Sequence, residues 1–201
     1  TNKKIIISTG MTNEKEINEC LRNYKNKKKI ALLHCVSSYP SSYKSINMNS
    51  INTLKNKVDI IGFSDHTLGN LSSTIAVSMG AKIIEKHFTL DKKMIGPDHK
   101  ISLNPNEMEL FIKQIRNTEK IMGSNLKDCQ PEEMANKKIV MKCIIAKNHI
   151  NKNTKVKITD FKLLRSGKGL TGFELKNIVN KITNREIKKD TIINKNYFKS
   201  K

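Results

Sequence analysis

The chain has no tryptophan, and aromatic residues make up only 5% of its 201 positions. It has few acidic groups, 18 against 38 Lys and Arg, which gives a formal net charge of +20. Its four cysteines (Cys20, Cys35, Cys129 and Cys143) form no CxxC pair. Each shortage excludes something. Scattered thiols fit reduced cytosolic cysteines and argue against a disulfide frame or a zinc knuckle. No apolar run approaches the ~20 residues a membrane span needs, and the N-terminus does not read as a signal peptide. A surplus of positive charge raises nucleic-acid binding, because basic surfaces release counterions from phosphate backbones. Yet the lysines are scattered among asparagines, with almost no aromatic residues to stack bases. They read as solvated faces, and nucleic acid is set aside as a partner.

What is present begins with two histidines. Each closes a short segment and has a polar partner two residues earlier. The segments are Ile60-Ile61-Gly62-Phe63-Ser64-Asp65-His66-Thr67 and Ala81-Lys82-Ile83-Ile84-Glu85-Lys86-His87-Phe88. A short apolar run that ends in polar residues reads as a buried strand and its carboxyl end. Residues i and i+2 of a strand share a face, so Ser64 points with His66, and Glu85 with His87. On neighbouring strands these four side chains would converge as a divalent-metal and polar-substrate site. The plainer alternative is two unrelated histidines, each bonded to a loop carbonyl.

Around these segments, strand-like and helix-like stretches alternate up to about residue 124. Strands are expected at Lys4–Ser8, Ile30–Val36, Val58–Phe63 and Ala81–Phe88. The first helix shows a stripe of Ile17, Cys20, Leu21 and Tyr24, with Asn13 and Glu16 spaced as a capping box. Short helices are expected near residues 49–57 and 71–79. Asn104-Pro105-Asn106-Glu107 marks the last helix start, with the stripe Met108, Phe111, Ile112 and Ile115 behind it and Gly123 ending it. Four βα units in series imply a parallel α/β sheet, either a small open one or part of a (β/α)₈ barrel. Ligands sit at the strand carboxyl ends in both. Ser8, Ser37, Tyr39, Ser64, His66, Glu85 and His87 all fall there.

Residues 125–138 read as a polar linker between a domain over 1–124 and a second over 139–201. From Lys137 onward there are 18 Lys/Arg against 4 Asp/Glu, a different composition from the rest. The tail echoes itself at an offset of 37 residues. Ile150-x-Lys152-x-Thr154 followed by Phe161 recurs as Ile187-x-Lys189-x-Thr191 followed by Phe198. This predicts a pseudo-symmetric, mostly β unit of two related arms. Between the arms, Arg165-Ser166-Gly167-Lys168-Gly169-Leu170 reads either as a solvated turn or as an anion or sugar contact made by a planar guanidinium.

Four motifs resemble the sialic acid synthases, the N-acetylneuraminate and legionaminate synthases of the phosphoenolpyruvate-condensing class. They are Leu33-His34-Cys35-Val36-Ser37-Ser38-Tyr39-Pro40, Gly62-Phe63-Ser64-Asp65-His66-Thr67, Glu85-Lys86-His87-Phe88-Thr89-Leu90-Asp91 and Gly96-Pro97-Asp98-His99-Lys100. The tail resembles the antifreeze-like (SAF, β-clip) domain of that family. The resemblance implies the second half of a (β/α)₈ TIM barrel followed by a small β-rich SAF domain, working as a domain-swapped homodimer when full length. It implies condensation of phosphoenolpyruvate with an N-acetylmannosamine-like sugar, and a divalent metal, typically Mn²⁺. On its pattern His66 and His87 match the metal ligands, and Glu85 matches a carboxylate beside the sugar. Ser8, Ser37 and Ser64 match phosphoenolpyruvate-side contacts, Tyr39 and Asp98 sugar-side ones, and Arg165 an SAF arginine that reaches a partner's site. Ser37 departs from relatives that carry Asn there. Four further βα units are expected ahead of Thr1, so the chain reads as a fragment that is inactive alone. The other reading is a carbohydrate- or polyanion-binding module with a vestigial barrel half.

Overall fold

The computed structural model describes residues 3–199, and the chain divides into two units, residues 1–125 and 126–201. In the first, four strands form one parallel sheet in sequential order: β1 (Ile5–Ser8), β2 (Ile30–Cys35), β3 (Ile60–Asp65) and β4 (Ile83–Lys86). Parallel neighbours need crossover connections, supplied here by α1 (Glu14–Arg22), then α2 (Tyr43–Ile46) with α3 (Ser50–Lys55), then α4 (Leu71–Ser78). The long α5 (Pro105–Met122) follows β4. This is the four-unit βα arrangement expected from the alternating pattern, half the strand complement of an eight-stranded barrel.

Period-two alternation divides each strand between two faces. Leu32, Ile61 and Phe63 point to the helices and pack with Leu21, Ile46, Ile51, Leu54 and Ala76 in one buried cluster. Phe63 and Ile51 are fully enclosed. The opposite face carries Ile6, Leu33, Gly62 and Ser64. Ile6 on the β1 edge is 56% exposed, as an inward-facing residue of half a barrel would be. Gly62 is where the strands approach most closely. A Cβ there would lie 2.4 Å from the Ile83 carbonyl oxygen and 2.5 Å from Leu33 Cδ2.

Local signals set the helix ends. Asn13 and Asn104 each cap a helix, accepting from the backbone N–H of Glu16 and Glu107, whose carboxylates return the bond. Within α1 the expected stripe is only partly buried. Leu21 is enclosed but Cys20 is exposed, a correction to the predicted apolar face. The sheet covers less of this short helix than an i, i+3, i+4 pattern would allow.

The second unit starts where the sequence predicts a linker, yet part of that stretch is helical: α6 covers Met134–Val140. Beyond it, β5 (Lys142–Ala146) and β6 (Phe161–Arg165) form a two-stranded antiparallel sheet, and α7 (Leu175–Ile178) is a single short turn. Most of the rest is single bridges and 3₁₀ turns, so regular strand is scarcer than a mostly β reading implies. The 37-residue echo is a pseudo-twofold. Ile150 and Ile187 pair with each other through two reciprocal 2.9 Å hydrogen bonds. Asn153 N–H donates to the Thr183 carbonyl, while its counterpart Asp190 donates to Ala146, the counterpart of Thr183, both at 2.9 Å. Asn153 (φ 63°) and Asp190 (φ 64°) share the left-handed conformation that such short polar residues tolerate. Phe161 and Phe198 each follow a 3₁₀ turn into the same buried cluster.

Candidate functional site at the strand carboxyl ends

The register of β3 and β4 sets Ser64 opposite Glu85 and Asp65 opposite Lys86. Ser64 and Glu85 share the inner face, and Ser64 Oγ donates to Glu85 Oε1 at 2.6 Å. One step beyond each strand lie His66 and His87, their ring centroids 5.2 Å apart and nearly edge-to-face. Tyr39 closes the group, 4.2 Å from the His66 ring and 5.5 Å from His87. It is carried by the loop after β2, through a cis Tyr39–Pro40 bond.

His66 is buried and held on two sides. Its Nδ1 lies 2.9 Å from the Val36 carbonyl oxygen, and because a carbonyl only accepts, that nitrogen carries the proton. In the neutral ring this bond leaves the lone pair on Nε2, the form a metal ligand needs. The His66 carbonyl in turn accepts from Ser41 N–H at 2.9 Å, tying the histidine to the Tyr39 loop. His87 is half-buried. Its carbonyl accepts from Leu103 N–H at 2.9 Å, and its Nδ1 lies 3.9 Å from Asp98 Oδ2. The Asp98 loop is fastened by Thr89 and His99, whose hydroxyl and Nδ1 are 2.7 Å apart.

The sequence-derived residues thus separate into groups. Ser64, His66, Glu85, His87 and Tyr39 converge, with Asp98 beside His87. Ser37 sits at the rim, 3.7 Å from Cys35 Sγ, and packs where Gly10 leaves no room for a side chain: a Cβ there would meet Ser37 Oγ at 2.1 Å. Ser8 ends β1, exposed. Arg165 ends β6 in the second unit, exposed and paired in register with Lys142.

Sequence reasoning missed the layer behind this cluster. On the helix side of the same strand ends, the Asp65 carboxylate accepts from Thr67 N–H (2.8 Å), Thr67 Oγ1 (2.7 Å) and Ser73 Oγ (2.6 Å). It also pairs with Lys86 Nζ at 3.1 Å. Burial pushes the Lys86 ammonium pKa below the ordinary lysine value, and the Asp65 charge partly restores it. His34, stacked on Phe63, sits on that side too, 2.6 Å from the Ile46 carbonyl oxygen. Burial lowers its pKa against the opposing pull of that hydrogen bond. The signal for Asp65 was its place in a strand-end run where neighbouring side chains must point to opposite faces.

Two imidazoles, one with its ligating nitrogen freed by a backbone bond, suit a transition ion in donor chemistry. Among the described residues no group of three or more His, Cys, Asp or Glu could hold a metal. An ion here would have two protein nitrogens and open positions for substrate or water, which is the pattern of a Lewis-acid site rather than a structural one.

A parallel sheet of βα units whose polar side chains gather at its carboxyl ends is an α/β fold with the layout of a ligand site. The sequence profile of the NeuB family matches residues 1–127. The chain belongs to the NeuB family. It is 40% identical over 198 residues to N,N'-diacetyllegionaminic acid synthase of Campylobacter jejuni, a match covering 96% of this chain and 59% of that protein. The N-acetylneuraminic acid synthetase structure of Leptospira borgpetersenii is 37% identical, with a TM-score of 0.60 over 66% of this chain and 47% of that one. A Chromobacterium violaceum structure described as spore coat polysaccharide biosynthesis protein E is 19% identical. Its TM-score is 0.82 over 100% of this chain and 62% of its own, a likeness of fold. The chain therefore spans less than two thirds of the length of the relatives it matches.

Proposed function

We propose that the protein to which this chain contributes is a nonulosonate synthase. It joins phosphoenolpyruvate to an N-acetylmannosamine-like sugar, giving a nine-carbon 2-keto acid and phosphate. The observation that carries this reading is the convergence of Ser64, His66, Glu85, His87 and Tyr39 at one sheet end, in a chain of this family.

In the reaction, C3 of the enol attacks the sugar aldehyde carbon and a C–C bond forms. The aldehyde oxygen takes up a proton and becomes a hydroxyl. Water adds at C2 and loses a proton, and the C2–O bond to phosphate breaks as the ketone forms. His66 and His87 would hold a divalent ion, Mn²⁺ by preference. When bound, that ion supplies Lewis acidity toward the acceptor's carbonyl oxygen. Glu85 is the proton-transfer group on the sugar side, and Ser64 orients its carboxylate through the 2.6 Å bond. Tyr39 offers a ring face beside the histidines, and Asp98 an acceptor for sugar hydroxyls. Ser8 and Ser37 line the phosphoenolpyruvate side.

The second unit, as an SAF domain, brings Arg165 to the N-acyl group in a partner subunit's site, which makes the working form a domain-swapped homodimer. An acceptor of the legionaminate or neuraminate branch is supported by the identity to synthases so named.

The test is phosphate release by the full-length protein with phosphoenolpyruvate and each candidate sugar, with and without chelator. Chelation, His66→Ala and His87→Ala should each abolish turnover. Full activity in all three would overturn the reading. Turnover by the 201-residue chain alone would overturn the view that the other barrel half is required.

A further inference from the structure

The two strands that deliver the histidines are linked twice, once on each face. On the inner face the link is Ser64–Glu85, and on the helix face it is Asp65–Lys86. The second link is built unlike a surface ion pair. The side chains of Lys86 and Asp65 are 4% and 0% exposed. Lys86 Nζ also donates to the Thr67 carbonyl, and no buried side-chain nitrogen or oxygen among the described residues is left without a partner. An apolar pair would fill this space without the cost of removing two charges from water. What an ion pair gives instead is direction.

Its members are the immediate neighbours of the histidines, and adjacent residues of a strand point to opposite faces. Fixing Asp65 therefore fixes the backbone from which His66 projects. Asp65 also grips Thr67 through both its N–H and its hydroxyl, so His66 is bracketed from either side. Lys86, the residue before His87, then ties that bracket to β4. Ser73 anchors the whole to α4 by a 2.6 Å bond.

We propose that the Asp65–Lys86 pair is a positioning device that sets the orientation of His66 relative to His87 from behind the sheet. The effect of this device on metal binding rests on the proposed synthase reading; its effect on the imidazoles does not.

The test compares Lys86→Met, Lys86→Arg and the charge-balanced double variant Asp65→Asn/Lys86→Met, each in the full-length protein and the 201-residue chain. The first readout is the imidazole ¹H–¹⁵N long-range spectrum without metal. In the parent, His66 should show one fixed tautomer protonated at Nδ1. Lys86→Met and the double variant should show averaged tautomers and broadened His87 signals, and Lys86→Arg should restore the parent spectrum. The second readout is Mn²⁺ binding by loss of the free-ion EPR signal. It should weaken about 10–100-fold in Lys86→Met and the double variant, as loss of a metal site's supporting contacts does, with recovery in Lys86→Arg. Unchanged imidazole spectra in a folded double variant would overturn the proposal. If the parent binds no Mn²⁺, the synthase reading loses its metal while the spectra still decide the positioning role. If Lys86→Met unfolds, the double variant carries the comparison.

Discussion

Ser64 Oγ and Glu85 Oε1 lie 2.6 Å apart across the β3–β4 register, so the Glu85 carboxylate in the candidate site is held by a neighbouring strand's hydroxyl. A carboxylate oriented this way has one oxygen occupied and the other free to exchange a proton with a substrate. Glu85→Gln keeps the shape and removes that capacity. It should lower the full-length enzyme's kcat by about 10²–10⁴-fold. Ser64→Ala removes only the orientation and should cost less. Steady-state phosphate release checks both, and equal losses would show that Ser64 does more than orient.

Gly62 predicts a steric result. A methyl group there meets the Ile83 carbonyl oxygen at 2.4 Å, and backbone in a paired strand has nowhere to go. Gly62→Ala should cost about 3 kcal/mol or more, at or above the usual range for overpacking. The urea midpoint, or the loss of soluble protein, reports it.

His34 predicts a pH dependence. Desolvation holds its folded pKa below the ordinary 6.5, so the unfolded chain binds more protons in the window between the two values. Stability then rises with pH across that window. The neutral histidine's advantage is present above pH 6.5 and is lost as pH falls toward the folded value. His34→Gln should lower stability at pH 7.5 but flatten its decline on acidification. Urea midpoints across pH 5–7.5 measure the slope.

The α5 start predicts a cap effect. Asn104→Ala should cost about 1 kcal/mol. Glu107 is held below its ordinary 4.5, first by its hydrogen bond from Lys92 and then by the Asn104 N–H. Its contribution is therefore present above the unfolded value and lost as pH falls through the folded one. Glu107→Gln should lower stability at pH 7 and, for the same reason, reduce acid sensitivity below about pH 4.5, read by thermal unfolding.

The pseudo-twofold predicts matched losses. Phe161 and Phe198 occupy equivalent places in one core and are 8% and 5% exposed. Phe161→Ala and Phe198→Ala should each cost about 3 kcal/mol or more, within the range for emptying a buried aromatic site. Denaturant titration of both variants decides it.

What the sequence revealed follows what local physics controls. The alternating βα series, the capping boxes of α1 and α5, and the shared faces of Ser64 with His66 and Glu85 with His87 follow from periodicity and chain direction. The helix between residues 134 and 140 was hidden because its seven residues, Met-Ala-Asn-Lys-Lys-Ile-Val, are too few to show a helical period, and none of them is buried. Cys20 was misassigned because burial depends on how far the sheet extends beneath α1, which spacing alone does not encode. The Asp65–Lys86 pair was invisible for a different reason. Two charges flanking histidines look like solvent contacts until a parallel register places them opposite each other and a third element, α4, covers them.

The pseudo-twofold bears on origin as well as stability. The bonds between the arms run from each to the other: Ile150 to Ile187, Asn153 to Thr183, and Asp190 to Ala146. A single 37-residue arm would leave those backbone groups unpaired, and the partner best shaped to satisfy them is a second copy of the same peptide. The unit thus has the geometry of a peptide dimer whose halves became joined in one chain. Duplication and fusion of a short self-complementary ancestor would produce that arrangement directly.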